Sequence, residues 1–203
     1  LSVSREVLER VLDTALVYRL TDAPEYATRA VKEMEAVAAF SDWNPSHFLD
    51  VAEMTTALAI GYDWLLPTLT ATQEETIRTA ILEKGIASSF DGIRTWVHGD
   101  NNWNQVCNGG MILGALALAE RDPALAEKTI ARSVEGLPYA MRTYNPDGVY
   151  VEGPSYWEYG TTYNVLAIAA LETALGTCFG LDADIGFQRS AAFPLLVTGP
   201  TGM

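Results

Sequence analysis

Two stretches of this sequence gather side chains that could do chemistry on a polar ligand. The first is Trp96-Val97-His98-Gly99-Asp100-Asn101-Asn102-Trp103-Asn104-Gln105-Val106-Cys107-Asn108, with four Asn, one Gln, one His and two Trp in thirteen residues. Primary amides carry paired donors and acceptors, and an indole ring presents a flat apolar face with a polar edge. That mixture suits a sugar: ring C–H faces pack on Trp96 and Trp103 while Asn101, Asn102, Asn104 and Gln105 meet hydroxyls or a carboxylate. A purely structural reading would give one Asn to a helix cap and both tryptophans to the core.

The second stretch runs from Tyr144 to Tyr163 and holds five Tyr, one Trp and two Glu. Pro146-Asp147-Gly148 reads as a turn, and Gly153-Pro154 ends the short extended piece after it. Tyr156, Tyr159 and Tyr163 fall at i, i+3 and i+7, so they share one helical face. An aromatic stripe at this spacing is commonly core, but each buried phenol then demands a hydrogen-bond partner. Trp157 and Tyr163 join the candidate ligand contacts, and Arg142, with Arg94 and Lys84, supplies cations that flank the motifs. His98 is a candidate proton acceptor; His47, beside Ser46 at a helix start, is a weaker one.

Composition narrows the partners. Asp and Glu total 26 against 13 Lys and Arg, for a formal charge of −13. A nucleic-acid partner is disfavoured, since phosphate binding rests on a basic face. Cys107 and Cys178 lie far apart and form no metal-ligand spacing, so no metal or other cofactor is expected in this chain. The longest apolar stretches, such as Met111 to Ala119, fall short of the roughly 20 residues of a membrane span.

Helical periodicity must position these residues. Val7, Leu8, Val11, Leu12, Ala15 and Leu16 mark a helix over about 4–20, and Ala27 to Ala38 a second, ended at Ser41-Asp42-Trp43-Asn44-Pro45. A third covers about 46–66 before Pro67, and a fourth starts at Thr72-Gln73-Glu74-Glu75, read as a capping box. Residues of about 103–120 and 124–143 pair around Arg121-Asp122-Pro123. A seventh helix runs from about Tyr156 to Leu175, and a weaker eighth covers about 188–197 despite Pro194. No alternating β-branched run predicts a strand. The expected fold is all-α: an incomplete α/α toroid of antiparallel helical hairpins over 1–198, with a plain helical bundle as the alternative. Residues 199–203 read as the start of a linker, and the loop-like end suggests a piece of a longer protein.

Three runs carry a family resemblance: Ala57-Leu58-Ala59-Ile60-Gly61-Tyr62-Asp63-Trp64-Leu65, Asn101 through Gly110, and Pro146-Asp147-Gly148 followed by Glu152-Gly153-Pro154-Ser155-Tyr156-Trp157-Glu158-Tyr159-Gly160. Together they resemble the N-terminal region of heparinase II/III-like polysaccharide lyases, and Thr198-Gly199-Pro200-Thr201-Gly202 resembles the junction before their second domain. The resemblance implies an α/α toroid followed by a β-sandwich, β-elimination on an acidic polysaccharide, and a metal, where relatives carry one, in the second domain. The expected setting is periplasmic or secreted rather than cytoplasmic.

Elimination removes the C5 proton of a uronic acid and expels the oxygen at C4. That proton is very weakly acidic, so the adjacent carboxylate must be neutralised by donors as charge develops. Asn102 matches the family's amide donor. A tyrosine then protonates the leaving oxygen, with Tyr159 matching best and Tyr156 next. Alginate-type relatives have His directly after that Asn, where this chain has Trp103; His98, Glu152 or a group of the second domain would replace it as base. By this reading the chain alone is folded but inactive. Two other classes fit the same residues: a glycoside hydrolase using two carboxylates from Asp147, Glu152 and Glu158, and a non-catalytic glycan-binding scaffold.

Overall fold

The computed structural model of the chain describes residues 1–200, and among these it is helical with no strand. Thr201, Gly202 and Met203, part of the stretch read as a linker, lie outside the described residues. The chain divides into two compact units: Leu1–Arg94 with Gly110–Ile130, and Thr95–Gly109 with the residues from Ala131 onward.

The first unit opens with α1 (Ser2–Thr21) and α2 (Pro24–Ala38), which pack on each other and on α3 (Phe48–Leu65). Val7, Val11 and Ala15, one turn apart, make the buried edge of α1, and the chain leaves the helix at Asp22 in the left-handed conformation (φ 55°). Pro24 begins α2 where its missing N–H is not needed. Nearly every residue of α3 is buried, as its small and apolar composition requires. The later part of α5 (Asn102–Leu118) comes directly against it: a Cβ on Gly110 would lie 2.7 Å from the Ala52 carbonyl oxygen, so only glycine permits the approach.

The capping box of α4 (Ala71–Ala80) is Thr70 with Gln73, two residues earlier than Thr72 with Glu75. Gln73 N–H donates to Thr70 Oγ1 at 3.3 Å and Thr70 N–H to Gln73 Oε1 at 3.1 Å. After α4 the helix continues as a π-helical segment, Ile81–Ile86, and a 3-10 turn, Ala87–Phe90. Lys84 in that segment donates to the carbonyls of Ala38 and Phe40, closing the end of α2. Arg94 donates to the Ser88 carbonyl at 2.7 Å and covers the Phe48 ring. Two of the three cations that flank the motifs in sequence, Lys84 and Arg94, are thus engaged within this unit.

The second unit holds the start of α5, the end of α6 (Pro123–Gly136), α7 (Pro138–Met141), α8 (Pro154–Leu175), α9 (Ile185–Arg189) and α10 (Phe193–Val197). The expected eighth helix is therefore two short ones separated by a 3-10 turn at Ser190–Ala192. Pro194 falls in the first turn of α10, the one helical place that tolerates it. A small core of Tyr144, Tyr150 and Phe193, with Trp157 and Phe187 against it, holds the segment before α8 to α9 and α10. Asn145 ties this together: its Nδ2 donates to Asp184 Oδ2 at 2.8 Å and its Oδ1 accepts from Gly186 N–H at 3.0 Å.

Candidate functional site

The start of α5 fixes the amide-rich motif. Asn101 caps the helix, its Oδ1 accepting from Trp103 N–H at 3.1 Å, so Asn102 is the first helical residue. Asn104 is fully buried and donates through Nδ2 to the carbonyls of Val97 (2.8 Å) and Gly136 (2.9 Å). Asn108 Nδ2 adds a bond to Val97 at 3.2 Å. These two amides brace the Thr95–His98 turn and the end of α6 from inside.

Helix α8 approaches α5 through two glycines. A Cβ on Gly160 would lie 2.1 Å from Gln105 Oε1, and one on Gly109 would lie 3.0 Å from the Tyr163 carbonyl oxygen. The contacts advance together along both helices, 105 with 160 and 109 with 163, so α5 and α8 run parallel and begin at the same end. Asn102 lies about 4.5 Å of helix rise before Gln105, and Tyr156 about 6 Å before Gly160. Asn102, Tyr156 and Tyr159 therefore belong to one end of the pair. Gly153, at φ 89°, turns the chain into Pro154 and opens α8 there.

A continuous hydrogen-bonded chain crosses this end. Glu152 accepts from Asn102 N–H at 2.6 Å and from Asn102 Nδ2, which lies 2.9 Å from one carboxylate oxygen and 3.1 Å from the other. Tyr150 Oη lies 2.8 Å from Glu152 Oε2 and 2.6 Å from Gln105 Oε1. Beyond Gln105, Nε2 reaches Tyr144 Oη at 2.6 Å, and that phenol pairs with Thr161 Oγ1 at 2.7 Å. Tyr150 has one proton for two acceptors. Both links form when Gln105 turns its amide to give an N–H to Tyr150.

Burial raises the Tyr150 phenol far above its ordinary value, and the adjacent Glu152 carboxylate raises it further by hydrogen bond and charge. Burial also raises Tyr144, outweighing the bonds from Thr161 and Gln105 that act the other way. Both phenols are donors at neutral pH and do not act as proton acceptors. The arrangement thus presents an amide, a backbone N–H at a helix start and a neutral phenol to a single carboxylate, as carboxylate binding requires. Asn102 is 4% exposed, and its Oδ1 has no hydrogen-bond partner.

The other residues named from the sequence fall into three places. Tyr156 is half exposed, Tyr159 partly buried and Tyr163 buried, with the Tyr159 and Tyr163 rings edge to face at 5.7 Å. Trp157 packs on Phe193, at 6.5 Å between ring centroids, and so belongs to the small core. Gln105, Asn104 and Trp96 are enclosed, Trp96 with the Arg132 guanidinium over its ring, whereas Trp103 is partly buried. His98 and Arg142 form a separate exposed group around Tyr139: the His98 ring meets it edge-on at 4.9 Å and the Arg142 guanidinium stacks at 4.3 Å. Asp147 and Glu158 are exposed. Among the described residues no group of His, Cys, Asp and Glu could hold a metal ion, and no helix is long and apolar enough to cross a membrane.

Tyr150, Tyr144 and Thr161 were not named from the sequence as site residues, yet they carry the chain inward from Glu152. The available signal was Gln105 one turn after Asn102, a buried amide needing partners; which phenols supply them depends on a pairing forty residues away. No protein-family model matches this sequence, and no curated protein matches it.

Proposed function

We propose that this chain is the helical part of a polysaccharide lyase resembling the heparinase II/III-like enzymes, cleaving a uronic-acid-containing polysaccharide by β-elimination. Its helices would form part of an α/α toroid, with the ligand at the end where α5 and α8 begin. The observation that carries the reading is the juxtaposition at that end of carboxylate-binding donors on Asn102 with the tyrosines that open α8.

In this reading the donors of Asn102 take the uronate carboxylate. As the C5–H bond breaks, negative charge spreads onto that carboxylate, and donors already aimed at it stabilise the charge without reorganisation. Tyr159, or Tyr156 beside it, gives its proton to the C4 oxygen as the C4–O bond breaks, leaving a C4–C5 double bond in the product. The proton acceptor at C5 comes from His98, Glu152 or a group supplied by a second domain. Neutral phenols suit the acid's task, since they hold a proton to give.

The test is made on the natural polypeptide that contains this chain, offered uronate polymers in turn, with ultraviolet absorbance reporting the unsaturated product. Tyr159→Phe, or Tyr156→Phe if Tyr156 is the acid, is expected to lower turnover by about 100-fold or more. Undiminished turnover in both variants would remove the acid from the mechanism. New reducing ends without ultraviolet absorbance would instead identify a hydrolase.

A further inference from the structure

We infer that Glu152 is a resident carboxylate in the Asn102 cradle, and that an acidic sugar binds by displacing it. The inference rests on the carboxylate-binding part of the reading above but not on elimination. Glu152 uses the donors that the uronate would need: Asn102 N–H at 2.6 Å, Asn102 Nδ2 at 2.9 Å and Tyr150 Oη at 2.8 Å. Two carboxylates cannot share this cradle, because each N–H and O–H there already points at one. Either the ligand stays out or Glu152 leaves.

The internal occupant is an incomplete match, which makes exchange feasible. A carboxylate offers acceptors alone, so it satisfies the Nδ2 side of the Asn102 amide and does nothing for Oδ1, which is buried without a partner. A buried acceptor left unpaired costs about 1–3 kcal/mol. A ligand that brings a carboxylate together with a neighbouring hydroxyl, as a uronic or other hydroxy acid does, can accept from Nδ2 and donate to Oδ1. Glu152 lies two residues before Pro154 and is itself only partly buried, so its side chain has a route outward. The role follows: Glu152 closes the cradle to neutral sugars and weak carboxylates, and selects ligands able to replace both its charge and the missing donor. While it is seated its oxygens face Asn102 and Tyr150, so it gates the cradle, and only once displaced is its carboxylate free to accept a proton.

Resident occupation lowers the apparent affinity of an incoming ligand by the fraction of time the cradle is open. The experiment follows the backbone and side-chain amide signals of Asn102 by NMR in the wild-type chain, Glu152→Ala and Glu152→Asp, titrated with D-glucuronate, acetate and D-glucose at constant ionic strength. Glu152→Ala is expected to bind glucuronate about tenfold more tightly than wild type, with Asn102 signals moving. Acetate should gain less and glucose nothing; Glu152→Asp, whose carboxylate is one methylene shorter, should fall between. If Glu152→Ala is destabilised, glucuronate should restore its melting temperature more than glucose does. Equal glucuronate affinity in all three chains, or no recovery of a destabilised Glu152→Ala, would overturn the inference. None of these readouts needs turnover. A failed lyase assay would leave the exchange standing, and a bound uronate seen with Glu152 still on Asn102 would sink the exchange alone.

Discussion

Each unit holds carboxylates in a hydrogen-bonded cluster, and it does so in a different way. In the first, Asp50 and Glu53 lie one turn apart on α3 and meet Ser4, Asn44, His47 and Arg5: Ser4 Oγ lies 3.0 Å from Asp50 and 2.5 Å from Glu53, and Arg5 Nε 3.4 Å from Glu53. Burial works to raise the Asp50 carboxyl, but hydrogen bonds, those from His47, Ser4 and Asn44 among them, outweigh it and hold it below the ordinary range. In the second, the donors to Glu152 are neutral, and this unit also holds buried polar atoms without partners: Oδ1 of Asn102, Asn104 and Asn108, Ser133 Oγ, Trp157 Nε1 and the amide of Asn164. In the first unit the polar groups around Asp50 and Glu53 are paired, and Arg94 Nε is a buried polar atom there without a partner. The second has more unmet hydrogen-bonding capacity, which costs stability unless water or a ligand meets it.

The strongest way to break that contrast is at the glycines. Gly160→Ala would drive a methyl into Gln105 and disrupt its links to both phenols; we expect a loss of about 3 kcal/mol by denaturant unfolding. Gly61→Ala on α3 would meet Met34 Sδ at 2.5 Å and the buried Val11 Cγ1 at 2.7 Å; it crowds apolar packing without breaking a hydrogen bond, and should cost less. Equal losses would mean that the second unit's network is no tighter than ordinary packing. Next come the carboxylates: Glu53→Gln should cost about 2 kcal/mol by leaving a buried mismatch, without changing uronate binding. Glu152→Gln keeps an acceptor oxygen for Asn102 and should cost about 1 kcal/mol, yet change binding. The reverse pattern would exchange the roles of the two units.

A pH series sharpens the same contrast. The Tyr144 and Tyr150 phenols are raised above their ordinary value of 10.0, so the unfolded chain ionises first. The stability they contribute is complete below pH 10.0 and falls as pH rises beyond it, by up to about 1.4 kcal/mol per pH unit for each. Tyr150→Phe should flatten this alkaline decline in thermal scans, and an unchanged slope would contradict the assignment. The smallest effect is expected at Thr70→Ala, which removes the α4 cap from the first unit: about 1 kcal/mol, with glucuronate titrations unaltered.

These comparisons also show how far the sequence could be read. The long helices were legible because local signals bound them: Val7, Val11 and Ala15 repeat at helical spacing, and Pro24, Pro123 and Pro154 each begin a helix. The capping box falls two residues before Thr72 because Thr70 and Thr72 both precede an acidic or amide residue at the right distance, and only the backbone chooses between them. The π-helical segment at Ile81–Ile86 left no local signal, since its apolar pattern continues that of α4. For the site, Asn102 at the head of its helix and Tyr156 at the head of another could be read from spacing and resemblance. The Asn102–Glu152 contact and the Tyr150–Gln105–Tyr144 chain could not, because they join residues 39 to 50 positions apart.

The account turns on whether the common end of α5 and α8 receives an acidic sugar. Mapping amide chemical-shift changes on titration with a short uronic-acid oligomer tests this directly. Changes concentrated at Asn101, Asn102, Glu152, Tyr156 and Tyr159 are the predicted result; changes confined to the first unit, as at its cleft of about 470 Å³ lined by Tyr18, Lys32 and Gln73, would contradict it.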